Sequence, residues 1–146
     1  MRIDVLTLFP GMFGAVLGES ILKIAQEKKL VQCYLHNIRD YTDDKHKCVD
    51  DKPYGGGGGM VIKPEPLFHA IEAVEGLDNL AAKKILLTPQ GKTFNQEIAN
   101  TLSQENRLML ICGHYEGFDE RIRSGIDLLE ISIGDYVLTG GEIPAM

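Results

Sequence analysis

Three short apolar runs constrain this chain more than anything else in it: Lys84 to Thr88 with Ile-Leu-Leu at its centre, Leu108 to Cys112, and Leu128 to Ile133. Strands that are apolar at successive positions must be covered on both faces, the pattern of a parallel sheet sandwiched by helices. The segments between them carry helical spacing. Ser20 is placed to cap a helix running to about Lys29, with Ile21, Leu22, Ile24 and Ala25 on its apolar side. Pro64 opens a helix to about Glu75 with Leu67, Phe68, Ile71 and Val74 on one face, and Thr93 to Gln104 and Phe118 to Ser124 also read as helices. Arg2 to Leu8 and Val31 to Ile38 are strand-like, the first ended by the turn signal Phe9-Pro10-Gly11. The expected class is α/β: a mostly parallel sheet with helices on both faces. With 146 residues, one domain with its own core is expected.

Composition excludes several classes. No apolar run reaches the roughly 18 residues needed to cross a bilayer, and Asp4 comes too early for a signal peptide, so a cytoplasmic protein is expected. Cys33, Cys48 and Cys112 stand far apart with no C-x-x-C pair; they read as reduced, buried or half-buried thiols, not zinc ligands. His36, His46, His69 and His114 lack metal-site spacing, and no G-x-S-x-G elbow is present, so neither a metal centre nor a serine hydrolase is expected. A net charge of −6 argues against non-specific tracking of nucleic acid, though a local patch can still recognise one folded RNA.

Four segments have the composition of a site. Residues 39–59 form a long polar stretch that runs into glycines, and long loops in compact domains are usually functional or disordered. Pro53-Tyr54-Gly55-Gly56-Gly57-Gly58-Gly59-Met60 permits close main-chain approach, yet it fits neither the P-loop nor the dinucleotide fingerprint, and a flexible hinge is the plainer reading. The other three segments each follow a buried strand: Thr88-Pro89-Gln90-Gly91, then Cys112-Gly113-His114-Tyr115-Glu116-Gly117-Phe118-Asp119-Glu120-Arg121, then Ser132-Ile133-Gly134-Asp135-Tyr136-Val137-Leu138-Thr139-Gly140-Gly141-Glu142. Open parallel sheets bind ligands at the carboxyl ends of their strands. Taken alone, Pro89-Gln90-Gly91 is an ordinary strand-to-helix turn; taken together, the three describe one glycine-rich rim with few charges. Such a rim suits an uncharged adenine and ribose better than a triphosphate. Asp119 and Glu120 read as helix-capping groups, whereas Glu116 has no such structural use. At the end of the chain, Thr139 with Glu142 three residues on resembles a capping box whose helix never runs, which suggests a truncated polypeptide.

Five segments in order (Leu6-Thr7-Leu8-Phe9-Pro10, the 53–60 glycine run, Pro89-Gln90-Gly91, Gly113 through Arg121, and Ser132 through Glu142) resemble the bacterial tRNA (guanine-N1)-methyltransferases of the SPOUT superfamily. The resemblance covers the whole chain. It implies a deep trefoil knot, one of the rare exceptions to unknotted chains, and a homodimer with its active site across the interface. It further implies S-adenosylmethionine held by Leu87, Pro89, Gln90, Gly91, Gly113, Tyr115, Gly117, Ile133, Gly134, Asp135, Tyr136, Val137, Leu138, Gly140, Gly141 and Pro144. The implied product is N1-methylguanosine on the 3′ side of the anticodon in tRNA. Glu116 would recognise the guanine, with His46 and Asp50 near it and Lys45 and Lys47 on phosphates. Thr88 and His114 stand where many relatives have Ser and Arg. The family's general-base Asp, a neighbouring Arg and a helical tRNA-binding domain would lie beyond these residues. On this reading the 146 residues are the cofactor-binding catalytic domain, able to bind cofactor but inactive alone. The rival readings are a SPOUT enzyme acting on another RNA and a non-catalytic nucleotide-binding module.

Overall fold

A computed structural model of the chain describes residues 1–52, 59–114 and 118–146. Its elements run in the order β1 (Arg2–Thr7), a 3-10 turn (Pro10–Met12), α1 (Gly14–Leu17), α2 (Ser20–Glu27), β2 (Gln32–Asn37) and a second 3-10 turn (Ile38–Tyr41). There follow β3 (Asp50–Asp51), β4 (Val61–Ile62), α3 (Pro64–Glu75), β5 (Lys83–Thr93), α4 (Gln96–Leu102), β6 (Arg107–Cys112), α5 (Glu120–Gly125), β7 (Leu129–Ser132) and α6 (Glu142–Ala145). Five strands make one parallel sheet in the order β2-β1-β6-β5-β7, and β3 and β4 form a small antiparallel ribbon. The expected class is the observed one.

Alternation along the strands explains the unbroken apolar runs. Leu6, Leu86, Met109 and Ile111 point to one face, where they meet Leu67, Ala70, Ile71 and Val74 of α3 and Ile122 of α5. Val5, Ile85, Leu87, Leu108, Cys112 and Ile131 point to the other, against Phe13, with Leu17, Ile98, Leu102 and Ala145 at its margin. The central runs of β5 and β6 are therefore apolar at successive positions, because both of their faces are covered.

Several local expectations are overturned. Ser20 does not cap α2; it is the helix's first residue at φ 51, and Glu19 is the N-cap with no side-chain bond. The helical spacing of α2 is real, but none of its residues is buried and Ile21 is 72% exposed. Thr139 caps nothing: Gly141 is the N-cap of α6, and Glu142 is buried with its carboxylate accepting from Thr7 Oγ1 at 2.7 Å. The stretch after Arg39 is no unstructured loop throughout. Its 3-10 turn carries Arg39 itself, and Asp50 and Asp51 pair with Ile62 and Val61. The cysteines are free, but Cys48 is exposed where a buried or half-buried thiol was expected.

A buried polar cluster ties β1, β2, β6 and α3 together. Asp4 and Arg107 are fully buried, with Nε 2.9 Å from Oδ2. Arg2 and His36 also reach the Asp4 carboxylate, at 2.9 and 2.8 Å. Arg107 spends its remaining donors on the carbonyls of Val74, Glu75, Asp78 and Leu80, at and just beyond the C-terminal end of α3. Burial alone would raise the Asp4 pKa, but the hydrogen bonds from Arg2, His36 and Arg107 outweigh it and hold the carboxyl below its ordinary value.

Asp4→Asn should therefore destabilise the chain at pH 7 by about 3 kcal/mol, because it leaves buried cations undercompensated. A depressed folded pKa contributes stability above the unfolded pKa and loses it as pH falls through the folded one. The gap between parent and variant in urea denaturation should hold from neutral pH down to about pH 4 and close below that. A gap constant into the acid range would refute the assignment.

Candidate functional site

The three glycine-rich segments converge on one cavity of about 230 Å3, at the carboxyl ends of β6 and β7 and beside residues 87–90 of β5. Each strand end is shaped by a different local device.

On β5 the structure corrects the sequence reading. Pro89-Gln90-Gly91 does not end the strand, which continues to Thr93. Ile131 of β7 pairs twice, once with Leu87 and again with Lys92, so residues 88–91 bulge outward while the ladder resumes beyond them. Gly91 sits where a Cβ would fall 2.5 Å from the Ile131 nitrogen, so only glycine permits this approach. Leu87, Pro89 and Gln90 line the cavity, with Thr88 beside them.

At the end of β6, Gly113 lines the cavity and His114 bridges to Gly140. Gly141 donates to the Gly113 carbonyl at 2.7 Å, and its Cα lies so close to β6 that a Cβ would meet the Cys112 Cα at 2.7 Å. The segment after β7 is thus laid across the end of β6 as main chain against main chain. Tyr115, Glu116 and Gly117 lie outside the described residues, as does most of the 53–60 glycine run.

After β7, Ser132 Oγ donates to the Gly134 carbonyl at 2.9 Å and closes a tight turn, and the Tyr136 ring folds over Gly134. Ile133, Tyr136, Val137 and Leu138 line the cavity, as do Gly140, Gly141 and Pro144. Tyr136 and Val137 remain 55% and 81% exposed, so they form its outer lip. Gly134 and Asp135 shape this turn without lining the cavity, and Gly91 acts likewise on β5.

Sequence reasoning missed part of the wall. Phe118 and Arg123 come from around α5, and Ile131 and Ser132 from β7. Arg123 is balanced by Glu120 at 3.1 Å and Glu130 at 3.3 Å. Phe118 reaches the wall because Gly113 has no side chain; a Cβ there would lie 2.6 Å from the Phe118 ring. Phe118 and Ser132 lie within segments the sequence singled out but were not picked as site residues, and no sequence signal marked Arg123, whose placement depends on how α5 packs. The reading of Asp119 as a capping residue is borne out: its carboxylate accepts from the Arg121 nitrogen at 2.9 Å.

His46 and Asp50 do not line the cavity. His46 is exposed in a turn organised by Asp44, whose carboxylate takes the Cys48 N–H at 2.9 Å, and Asp50 is half-buried on β3. Lys45 is exposed in the same turn, and Lys47 is engaged by Asp40 at 2.8 Å. Among the described residues no carboxylate lines the cavity, and no group of three His, Cys, Asp or Glu is placed to hold a metal ion.

Comparison with known proteins gives a consistent result. The pattern of the family described as tRNA (Guanine-1)-methyltransferase TrmD matches residues 1–146. A tRNA (guanine-N(1)-)-methyltransferase of Dehalococcoides mccartyi is 60% identical over the whole chain, and one of Bacillus subtilis 58% identical. The chain spans 59% and 60% of those two relatives' lengths. A crystal structure of a tRNA (m1G37) methyltransferase from Aquifex aeolicus superimposes with a TM-score of 0.90 at 41% identity, covering 99% of this chain and 65% of that one.

Because a Cβ at Gly91 has nowhere to go, Gly91→Ala should lower the thermal midpoint on the order of 5 °C, the usual cost of overpacking in a domain of this size. Gly11→Ala, where a Cβ meets nothing within 4 Å, is the control and should leave it unchanged. Equal midpoints for the Gly91 variant and the parent would show that the bulge relaxes freely.

Proposed function

The chain belongs to the tRNA (guanine-1)-methyltransferase family, and on that footing we propose that it is the S-adenosylmethionine-binding part of an enzyme that methylates N1 of the guanosine 3′ to the tRNA anticodon. The observation that carries this reading is the cavity itself: three strand ends, a wall of main chain and neutral side chains, and an Arg123 already balanced by two glutamates. Such a wall suits an adenosine, and lacks the cluster of cations that a triphosphate would demand.

The residues present fit the cofactor by their chemistry. Leu87, Ile133, Leu138 and Pro144 offer apolar surface, and the glycines expose main-chain donors and acceptors around them. Tyr115, Gly117, Gly134 and Asp135 complete the proposed contact set. When bound, S-adenosylmethionine supplies a methyl group already activated by its sulfonium, which leaves the protein mainly to position it. Transfer breaks the carbon–sulfur bond and forms a carbon–nitrogen bond at guanine N1, whose proton must pass to a base. We assign Glu116 to the guanine's N–H edge and His46 and Asp50 to its surroundings, with Lys45 on a phosphate and Lys47 there only by releasing Asp40. The target base leaves its stack to reach the cavity.

We further propose a homodimer; exposed Val16, Ile21 and Ile24 on α1 and α2 support an apolar contact there. A tRNA substrate would suit a cytoplasmic protein, which we propose; among the described residues no helix is long and apolar enough to cross a membrane.

With no carboxylate on the described cavity wall, the 146 residues should bind S-adenosylmethionine in calorimetry yet give no methyl incorporation into tRNA transcripts. Robust incorporation, or equal incorporation into transcripts with the target guanosine replaced, would overturn this reading.

A further inference from the structure

The cavity occupies only the β6-β5-β7 side of the sheet's carboxyl edge. The same edge continues across β1 and β2, and its residues there do no evident work for a bound cofactor. Phe9 follows β1 and is 38% exposed. Its ring lies 4.9 Å, centroid to centroid, from that of His114 on the cavity wall. Arg39, in the 3-10 turn after β2, places its guanidinium carbon 5.9 Å from the centre of the Phe9 ring. Its Nη1 is buried and has no hydrogen-bond partner among the described residues.

That last observation is the informative one. A buried guanidinium nitrogen without a protein acceptor is costly, and native structures meet such a group with an ordered water, an ion or a ligand. Arg107 makes the contrast within the same molecule, since its donors are satisfied by Asp4 and four carbonyls. Arg39 is held against an aromatic ring that itself abuts His114 of the cavity wall, so its guanidinium stands one ring contact away from the cavity. Arginine's planar fork is suited to phosphate oxygens.

We propose that Arg39 is a substrate-positioning residue whose guanidinium, by turning Nη1 out of its buried place, donates to a backbone phosphate flanking the target guanosine, with Phe9 as the apolar support beneath it. This rests on the RNA-methyltransferase reading above and extends it to a residue on the β1-β2 side of the same sheet edge. The chain's net charge of −6 makes a single well-placed cation more consequential than a diffuse basic surface.

A chemical double-mutant cycle tests it. Binding of an anticodon stem-loop RNA is measured by fluorescence anisotropy for the parent, Arg39→Lys and Arg39→Ala. Each is tested against RNA in which the phosphate on either side of the target guanosine is replaced by an uncharged methylphosphonate. Loss of one charge-assisted hydrogen bond predicts about tenfold weaker binding for Arg39→Ala with native RNA. The parent should lose a similar factor at one methylphosphonate position, and Arg39→Ala should lose nothing further there. The slope of log affinity against log salt should fall by about one in Arg39→Ala. Arg39→Lys should keep the charge and the slope while losing part of the affinity. S-adenosylmethionine affinity, measured in parallel, should be the same in all three and so report an intact fold. Independent, additive losses from variant and methylphosphonate would overturn the phosphate assignment, as would unchanged RNA binding by Arg39→Ala. Failure of the parent to bind S-adenosylmethionine would instead overturn the underlying reading.

Discussion

The buried contact between Asp4 and Arg107 organises more of this molecule than any other. It joins β1 to β6 at the centre of the sheet, and Arg2 and His36 extend it to the rest of β1 and to β2. By taking the last carbonyls of α3 and those just beyond, Arg107 also fixes the level at which that helix lies on the sheet. An uncompensated charge in that position would be severe, which is why so many donors surround one carboxylate. The consequence reaches the cavity. The chain enters α3 from β4, Ile62 of β4 bridges to Phe118, and Phe118 stands in the cavity wall. The polar cluster and the cavity wall thus meet the same helix at its two ends.

What the sequence disclosed follows from how local its causes are. Helix α3 could be read to the residue, from Pro64 through Glu75, because a proline opens it and its apolar spacing is self-contained. Strand β6 was legible because both its faces are buried. The reading failed where a partner far along the chain decides the outcome. Thr139 and Glu142 match a capping box, but Glu142 is claimed by Thr7, 135 residues away. Pro89 and Gly91 signal a turn, yet pairing with Ile131 carries the strand past them. Ser20 looks like a cap but lies inside its helix at positive φ.

The site divides along the same line. Its rim was visible because strand ends in a parallel sheet converge by topology alone, so three glycine-rich segments could be assigned to one place without coordinates. Arg123 was invisible because it enters sideways from α5, and Phe118 was passed over although it lies in a quoted segment, because its place in the wall depends on how α5 packs. Ile21 and Ile24 on α2 show the converse error: periodicity gives a face but does not say what covers it.

The double pairing of Ile131 has a further implication for how such a site can vary. An ordinary binding loop tolerates insertions, because its ends are anchored independently of its length. Here the ladder resumes at Lys92 and Thr93 in fixed register with Ile131 and Ser132. The bulge of residues 88–91 is pinned at both ends to one residue of β7, so its two flanks stay together whatever the bulge contains. Diversification of what the cavity accepts can therefore come from the bulge itself as well as from the segments that cross it.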